Sequence, residues 1–195
     1  MSRSSTITRN TRETDVKVDL NLDGRGDCAI ETGIGFFDHM LELFGRHGGF
    51  DLQVSCKGDL HIDPHHSIED TGICLGQALV QALGEKRGIA RYGFFYAPMD
   101  DALARVVVDL SGRAHFEYRV PRRDGRMGDM PFELVEEFWR SFCVNGKMNL
   151  HVEVLYGTNL HHVSEAIFKA AARALGSAVA QTPGDDRVPS TKGEL

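Results

Sequence analysis

Cysteine is sparse in this 195-residue chain, and Cys28, Cys56, Cys74 and Cys143 are scattered without a Cys-x-x-Cys spacing. A thiolate metal knuckle and a dithiol redox motif are thereby excluded, and a reducing, cytoplasmic setting fits. Basic charge is also short: 22 Lys and Arg face 28 Asp and Glu, for a net charge of −6. This balance provides no general field for nucleic acid. No apolar run approaches the length of a membrane-spanning helix, and Met1–Asn10 lacks the apolar stretch of a signal peptide. A transit peptide removed earlier is compatible with the same sequence. With 42% hydrophobic residues, the chain can build one fully cored domain or two tightly fused halves.

Against this background one pattern occurs twice: Asp63-Pro64-His65-His66-Ser67-Ile68-Glu69 and Asn159-Leu160-His161-His162-Val163-Ser164-Glu165. Asp63 or Asn159 can cap a helix, placing both histidines in its first turn and the glutamate on a neighbouring position of one face. Two imidazoles and a carboxylate can then converge on a cation. The offset of 96 (161 − 65) also maps Ala78 on Ala174 and Leu79 on Leu175, which makes the chain a tandem duplication.

The rest of the chain repeats in the same order. Thr6–Leu22 reads as an extended strand with Val16, Val18, Leu20 and Leu22 on one face, and Asp23-Gly24-Arg25-Gly26 turns it into a hairpin with Cys28 and Ile30. Glu13 falls on that first strand, where it reads locally as a solvated glutamate. Phe36, Phe37, Met40, Leu41 and Phe44 recur at helical spacing with His39 beside the stripe, and Gly48-Gly49 ends the helix. Phe50, Leu52 and Val54 form a strand, and a helix runs from Pro64 to about Lys86. In the second half Ala104–Leu110 and Ala114–Val120 are strands, Leu134–Phe142 a helix, Leu150–Val154 a strand, and Leu160 to about Ala180 the last helix.

Each half is therefore a ββαβα unit, residues 1–92 and 93–182, followed by a tail over 183–195. The fold class is α+β, with the helices of both halves packed between two mixed sheets. Leu52 maps on Leu150 and Val54 on Val152 at an offset of 98, and the same offset puts Glu137 opposite His39. The candidate ligands are His39, His65, His66, Glu69, Glu137, His161, His162 and Glu165. Eight nitrogen and oxygen donors without a thiolate suit two divalent ions with open positions better than a closed zinc site. Adjacent helical residues point about 100° apart, so the two histidines of a pair serve different ions. By its neighbours alone, Glu136 and Arg140, Glu137 reads as a solvated glutamate.

These residues carry a family resemblance. Gly35-Phe36-Phe37-Asp38-His39-Met40-Leu41, Asp59 through Gly72, Asp109-Leu110-Ser111-Gly112-Arg113, Asn159 through Lys169 and Pro189-Ser190-Thr191-Lys192-Gly193 together resemble the imidazoleglycerol-phosphate dehydratases of histidine biosynthesis. The likeness spans essentially the whole chain. It implies a duplicated fold like the second domain of ribosomal protein S5, and a shell of 24 subunits with sites completed between them. Two Mn(2+) per subunit are implied, one taking His39, His66, His161 and Glu165, the other His65, Glu69, Glu137 and His162. Glu137 departs from the family pattern, where a histidine is common, and Pro64 stands where an aspartate is common. His47, Arg91, Arg113, Lys169, Ser190 and Lys192 match substrate-binding positions, the cations for a phosphate, and Glu13 falls at the substrate hydroxyls. Alone, each cation reads as a surface charge. His61 could line the site or support it, His115 and His151 read as ordinary strand residues, and Asp100 and Asp101 as turn formers.

The implied reaction is loss of water from imidazole glycerol phosphate to give imidazole acetol phosphate. Its C–H is not activated by a carbonyl, so the ring must do the activating. A metal-bound imidazolate expels the hydroxyl on the carbon attached to the ring, and the resulting diazafulvene makes the adjacent C–H acidic. Glu13 and Glu165, with His65 and His66 at the metals, are the catalytic candidates, and which carboxylate serves which step stays open. A metal-dependent hydrolase or a metal-storage protein could use the same ligands. The internal arginines and the terminal Ser-Thr-Lys favour a small phosphorylated substrate instead. No nucleic acid or membrane partner is expected.

Overall fold

The computed structural model describes residues 3–121 and 124–195. The first half runs β1 (Ser4–Asn10), β2 (Thr14–Asn21), β3 (Cys28–Glu31), α1 (Gly35–Gly48), β4 (Asp51–Gly58) and α2 (His65–Leu83). The second runs β5 (Tyr92–Met99), β6 (Ala102–Asp109), β7 (His115–Arg119), the short β8 (Arg126–Met127) and β9 (Met130–Pro131), α3 (Glu133–Asn145), β10 (Asn149–Tyr156) and α4 (Leu160–Val179). Two mixed four-stranded sheets result, ordered β1-β2-β4-β3 and β5-β6-β10-β7.

The α+β architecture with helices between two sheets is the expected one, but the repeat unit is larger than ββαβα. Each half begins with an additional strand, β1 or β5, that forms the true hairpin with its successor: Ile7 pairs with Val18, and Phe95 with Val106. The stretch expected as one strand over Thr6–Leu22 is instead β1 and β2, folded back on each other at residues 11–13, and its expected hairpin with Cys28 and Ile30 does not form. β4 inserts between β2 and β3, antiparallel to β2 (Leu20 opposite Leu52) and parallel to β3 (Cys28 opposite Leu52). β10 separates β6 from β7 in the same way. Glu13 consequently sits in the β1–β2 turn and not on a strand. Helix α2 stops at Leu83, short of Lys86, because Gly84 and Lys86 both take positive φ.

The core follows from the alternation of the strands and the stripes of the helices. Val16, Val18 and Leu20 face inward against Leu52 and Val54, and Ala104, Val106 and Val108 do the same against Leu150 and Val152. Helix α2 covers β1 and β2, and α4 covers β5 and β6. The helices then cross between halves, α2 on α3 and α1 on α4. These crossings are close. A Cβ on Gly72 would meet Phe138 O at 2.8 Å, and one on Gly176 would meet Gly48 O at 2.8 Å. Phe37, Met40, Leu41 and Phe44 of α1 and Val135, Phe138, Trp139 and Phe142 of α3 are buried at matching positions. That match confirms the offset that sets Glu137 opposite His39.

Candidate metal and substrate site

The α1–α4 crossing brings His39 to the first turns of α4. Asn159 caps that helix, its side chain accepting from the backbone N–H of His161 and His162. His161 and Glu165, one turn apart, then share a face. His161 Nε2 lies 2.8 Å and His39 Nε2 3.2 Å from the same oxygen, Glu165 Oε1, and the three donor groups lie within 4.8 Å of one another. The edge of Phe36 packs on the His161 ring at 5.2 Å. Lys169, a turn further on, donates to Glu165 Oε2 at 2.6 Å and lies 3.3 Å from Met99 Sδ. Burial opposes ionisation of Glu165, yet hydrogen bonds from Lys169, His161 and His39 outweigh it and hold the carboxyl down at about 2.

The other motif opens into two surroundings. His65 Nε2 lies 3.9 Å from Glu69 Oε2, and His65 and Glu137 line one cleft with Asp63, Tyr118 and Phe132. Glu136, and not Glu137, takes the guanidinium of Arg140, so Glu137 has no ion-pair partner among the described residues. The His66 ring stands at 83° to that of His65. Its Nδ1 lies 3.1 Å from Asp59 and its Nε2 3.9 Å from Glu13. The bond to Asp59, opposed by burial and helped by the Glu13 charge, raises the His66 pKa. His162 likewise turns 82° away from His161, its Nδ1 lying 2.7 Å from Asp101 and its Nε2 3.3 Å from Asp100. Asp101 also accepts from Thr158 N, Thr158 Oγ1 and Asn159 N at 2.8, 2.7 and 3.2 Å. The Thr158 amide and His162 ring hold its carboxyl well below the usual range.

One chain thus assembles His39, His161 and Glu165 of the first expected ligand set without His66. Of the second set, His65 stands 3.9 Å from Glu69 and shares a cleft with Glu137, but the three do not close into a cluster as the first set does, and His162 lies elsewhere. Each set lacks the second histidine of a pair, and within each pair the two rings diverge, at 83° for His65 and His66 and 82° for His161 and His162.

The basic residues also separate. Arg91, Arg113, Ser190 and Lys192 line a common groove under the C-terminal segment. There Arg91 pairs with Asp109 at 2.7 Å and donates to Pro189 O at 2.8 Å. Lys169 is not among them. His47 lies at the end of α1, where burial and the Lys169 and Arg173 charges lower its pKa. His61 is exposed in the loop before α2, and His115 and His151 lie ring to ring at 5.5 Å away from these groups.

Two anchoring residues escape sequence reasoning: Asp59, and Asp101 as more than a turn former. A signal for Asp101 existed. The pairing offset that sets β6 on β2 (108 − 20 = 88) places it opposite Glu13, so both hairpin turns present a carboxylate to the second histidine of their own half.

A protein-family model described as imidazoleglycerol-phosphate dehydratase matches residues 32–175. Imidazoleglycerol-phosphate dehydratase from Methylorubrum extorquens is 54% identical over 194 residues, covering 99% of this chain and 100% of the relative. That from Geobacillus thermodenitrificans is 53% identical over 195 residues, covering 100% of both. Among solved structures, the dehydratase from Staphylococcus aureus subsp. aureus N315 superposes with a TM-score of 0.83 at 39% identity, over 92% of this chain and 99% of that one. The enzyme from Pyrococcus furiosus in complex with (S)-C348 superposes with a TM-score of 0.84 at 36% identity, over 97% and 100%. The chain belongs to the imidazoleglycerol-phosphate dehydratase family.

Proposed function

We propose that this chain, a hydro-lyase by family, dehydrates imidazole glycerol phosphate to imidazole acetol phosphate in histidine biosynthesis with two Mn(2+) per subunit. The observation that carries this reading is the convergence of His39, His161 and Glu165, with Lys169 completing the cluster. The donors fit the metal: imidazole nitrogens and carboxylate oxygens without thiolate suit a hard to borderline divalent ion with open positions. His39, His161 and Glu165, with His66 from another copy, would hold one ion, and His65, Glu69 and Glu137, with another copy's His162, the second. When bound, such ions supply positive charge that stabilises the substrate ring as its anion.

The chain's own groups do the rest. Hydroxide leaves from the ring-attached carbon, a proton leaves the neighbouring carbon, and the enol becomes the ketone, for a net loss of one water. Glu165, kept ionised by Lys169, is suited to ligation. Glu13, on an exposed turn where its carboxylate has only a 3.9 Å contact to His66 among the described residues, is the carboxylate free to accept or return a proton. Asp59 and Asp101 hold Nδ1 of His66 and His162, fixing ring orientation. The groove of Arg91, Arg113, Ser190 and Lys192 receives the phosphate. Because each ligand set wants a histidine that its own chain directs elsewhere, a multi-subunit shell of 24 copies is part of the proposal. No helix among the described residues is long and apolar enough to cross a membrane, and a cytoplasmic location completes the reading. Its test is product analysis: purified protein with manganese should convert imidazole glycerol phosphate to a ketone, and recovery of unchanged substrate would reject it.

Four variants probe the two ends of the site. Arg113→Ala and Lys192→Ala should each weaken phosphorylated imidazole ligands by about 1.5–3 kcal/mol with metal content intact, as read by calorimetry. Equal affinity of the parent for phosphorylated and unphosphorylated ligands would refute the groove. Glu137→Leu should empty one of the two ions per subunit, whereas Glu137→His should keep both. Elemental analysis showing two ions in the leucine variant, with normal turnover, would make Glu137 a surface residue only.

A further inference from the structure

The turn that carries Glu13 is tied to α2 by a polar network centred on the buried Thr14 and Asp70. Asp70, buried directly after Glu69, accepts from Arg9 Nε on Oδ1 at 2.8 Å and from the Thr14 hydroxyl on Oδ2. The hydroxyl of Thr14, itself buried, lies 3.2 Å from that of Thr11. The Thr11 hydroxyl oxygen in turn accepts from the backbone N–H groups of Glu13 and Thr14 at 3.1 and 2.9 Å. The Glu13 carbonyl accepts from Asp59 N at 3.1 Å, and the Asp59 carboxylate faces His66 Nδ1. An unbroken path therefore runs from Asp70 through the Glu13 backbone to His66.

The duplication supplies a control within the molecule. The offset that pairs β6 with β2 maps Arg9 on Ala97 and Thr14 on Ala102, and the offset of the helices (161 − 65 = 96) maps Asp70 on Ala166. All three alanines are buried. One half thus closes this junction with three methyl groups, so the fold does not need an ion pair there. A partly exposed pair such as Arg9–Asp70 adds little stability over apolar packing. Nor do the alanines leave their turn loose, since Asp101 ties it to Thr158 and Asn159 directly.

We propose that Arg9, Thr14 and Asp70 are positioning residues that fix the β1–β2 turn so that Glu13 and His66 meet the substrate together. This rests on the reading of Glu13 as a proton-transfer group. Thr14→Val keeps the shape of the side chain and removes its hydroxyl. It should lower kcat by about tenfold to a hundredfold while KM stays within about twofold, and Thr14→Ser should restore most of the loss. In the metal-free protein the amide hydrogens of Glu13 and Asp59 should exchange roughly tenfold faster in Thr14→Val, with α4 unchanged. The triple variant Arg9→Ala, Thr14→Ala, Asp70→Ala, which copies the second half, should melt no lower than the parent yet show the same kcat loss. Parental kcat together with parental exchange in both Thr14→Val and the triple variant would overturn the proposal. A parent that fails to turn over imidazole glycerol phosphate would sink the proposed function, while the exchange measurement would still decide the network.

Discussion

Glu165→Gln should reduce turnover by about a hundredfold to a thousandfold and leave one metal ion per subunit in place of the proposed two. Glutamine keeps the size and shape of this nearly buried side chain, so the α1–α4 contact survives and thermal unfolding shifts little. What it loses is the charge. The Oε1 atom that His39 and His161 approach at 3.2 and 2.8 Å is the only carboxylate oxygen common to both rings among the described residues, and a neutral amide is a much poorer ligand. Lys169, 2.6 Å from the other oxygen, also loses its counter-charge and would sit as an uncompensated cation beside the bound ion. Metal analysis and steady-state kinetics on one preparation check both parts. Parental turnover with two ions bound would mean that Glu165 merely packs beneath its histidines.

Complete removal of metal should break the proposed multi-subunit shell into smaller units, and restoring manganese should rebuild it. The expectation comes from geometry. His66 and His162 point away from the ligand clusters of their own chain, each with its Nδ1 held by an aspartate, at 3.1 Å from Asp59 and 2.7 Å from Asp101. If those histidines complete sites in neighbouring copies, every ion is a clamp between subunits, and binding energy at the metal is assembly energy. Light scattering before and after chelation measures this directly. An unchanged large particle after complete stripping would place the metals outside the subunit contacts.

Much of this was legible in the sequence because the duplication speaks twice. The helical stripes, the Asn159 cap, the divergence of paired histidines and the correspondence of Glu137 with His39 all follow from spacing alone. In the strands opening each half, the turn that separates β1 from β2 and the whole of β5 were not legible. In β1 the half-buried positions are Ser5, Ile7 and Arg9, and Arg9 turns to Asp70, so the face carries a single apolar residue. In β5 the outward residues Tyr92, Phe94 and Tyr96 are large and exposed, so both faces look apolar. The false hairpin has another cause. An Asp-Gly turn between two alternating runs satisfies every local rule, and only a strand arriving from beyond α1 displaces the partner. Local pattern cannot register such a long-range competitor. The proposed division of ligands between copies rests on resemblance, since spacing makes paired imidazoles diverge but does not say which group each one meets.

The most direct test is a titration of metal-stripped protein with manganese, following conversion of imidazole glycerol phosphate to imidazole acetol phosphate. Turnover should rise from none and level off at two ions per subunit. Full turnover before any metal is added would contradict the account.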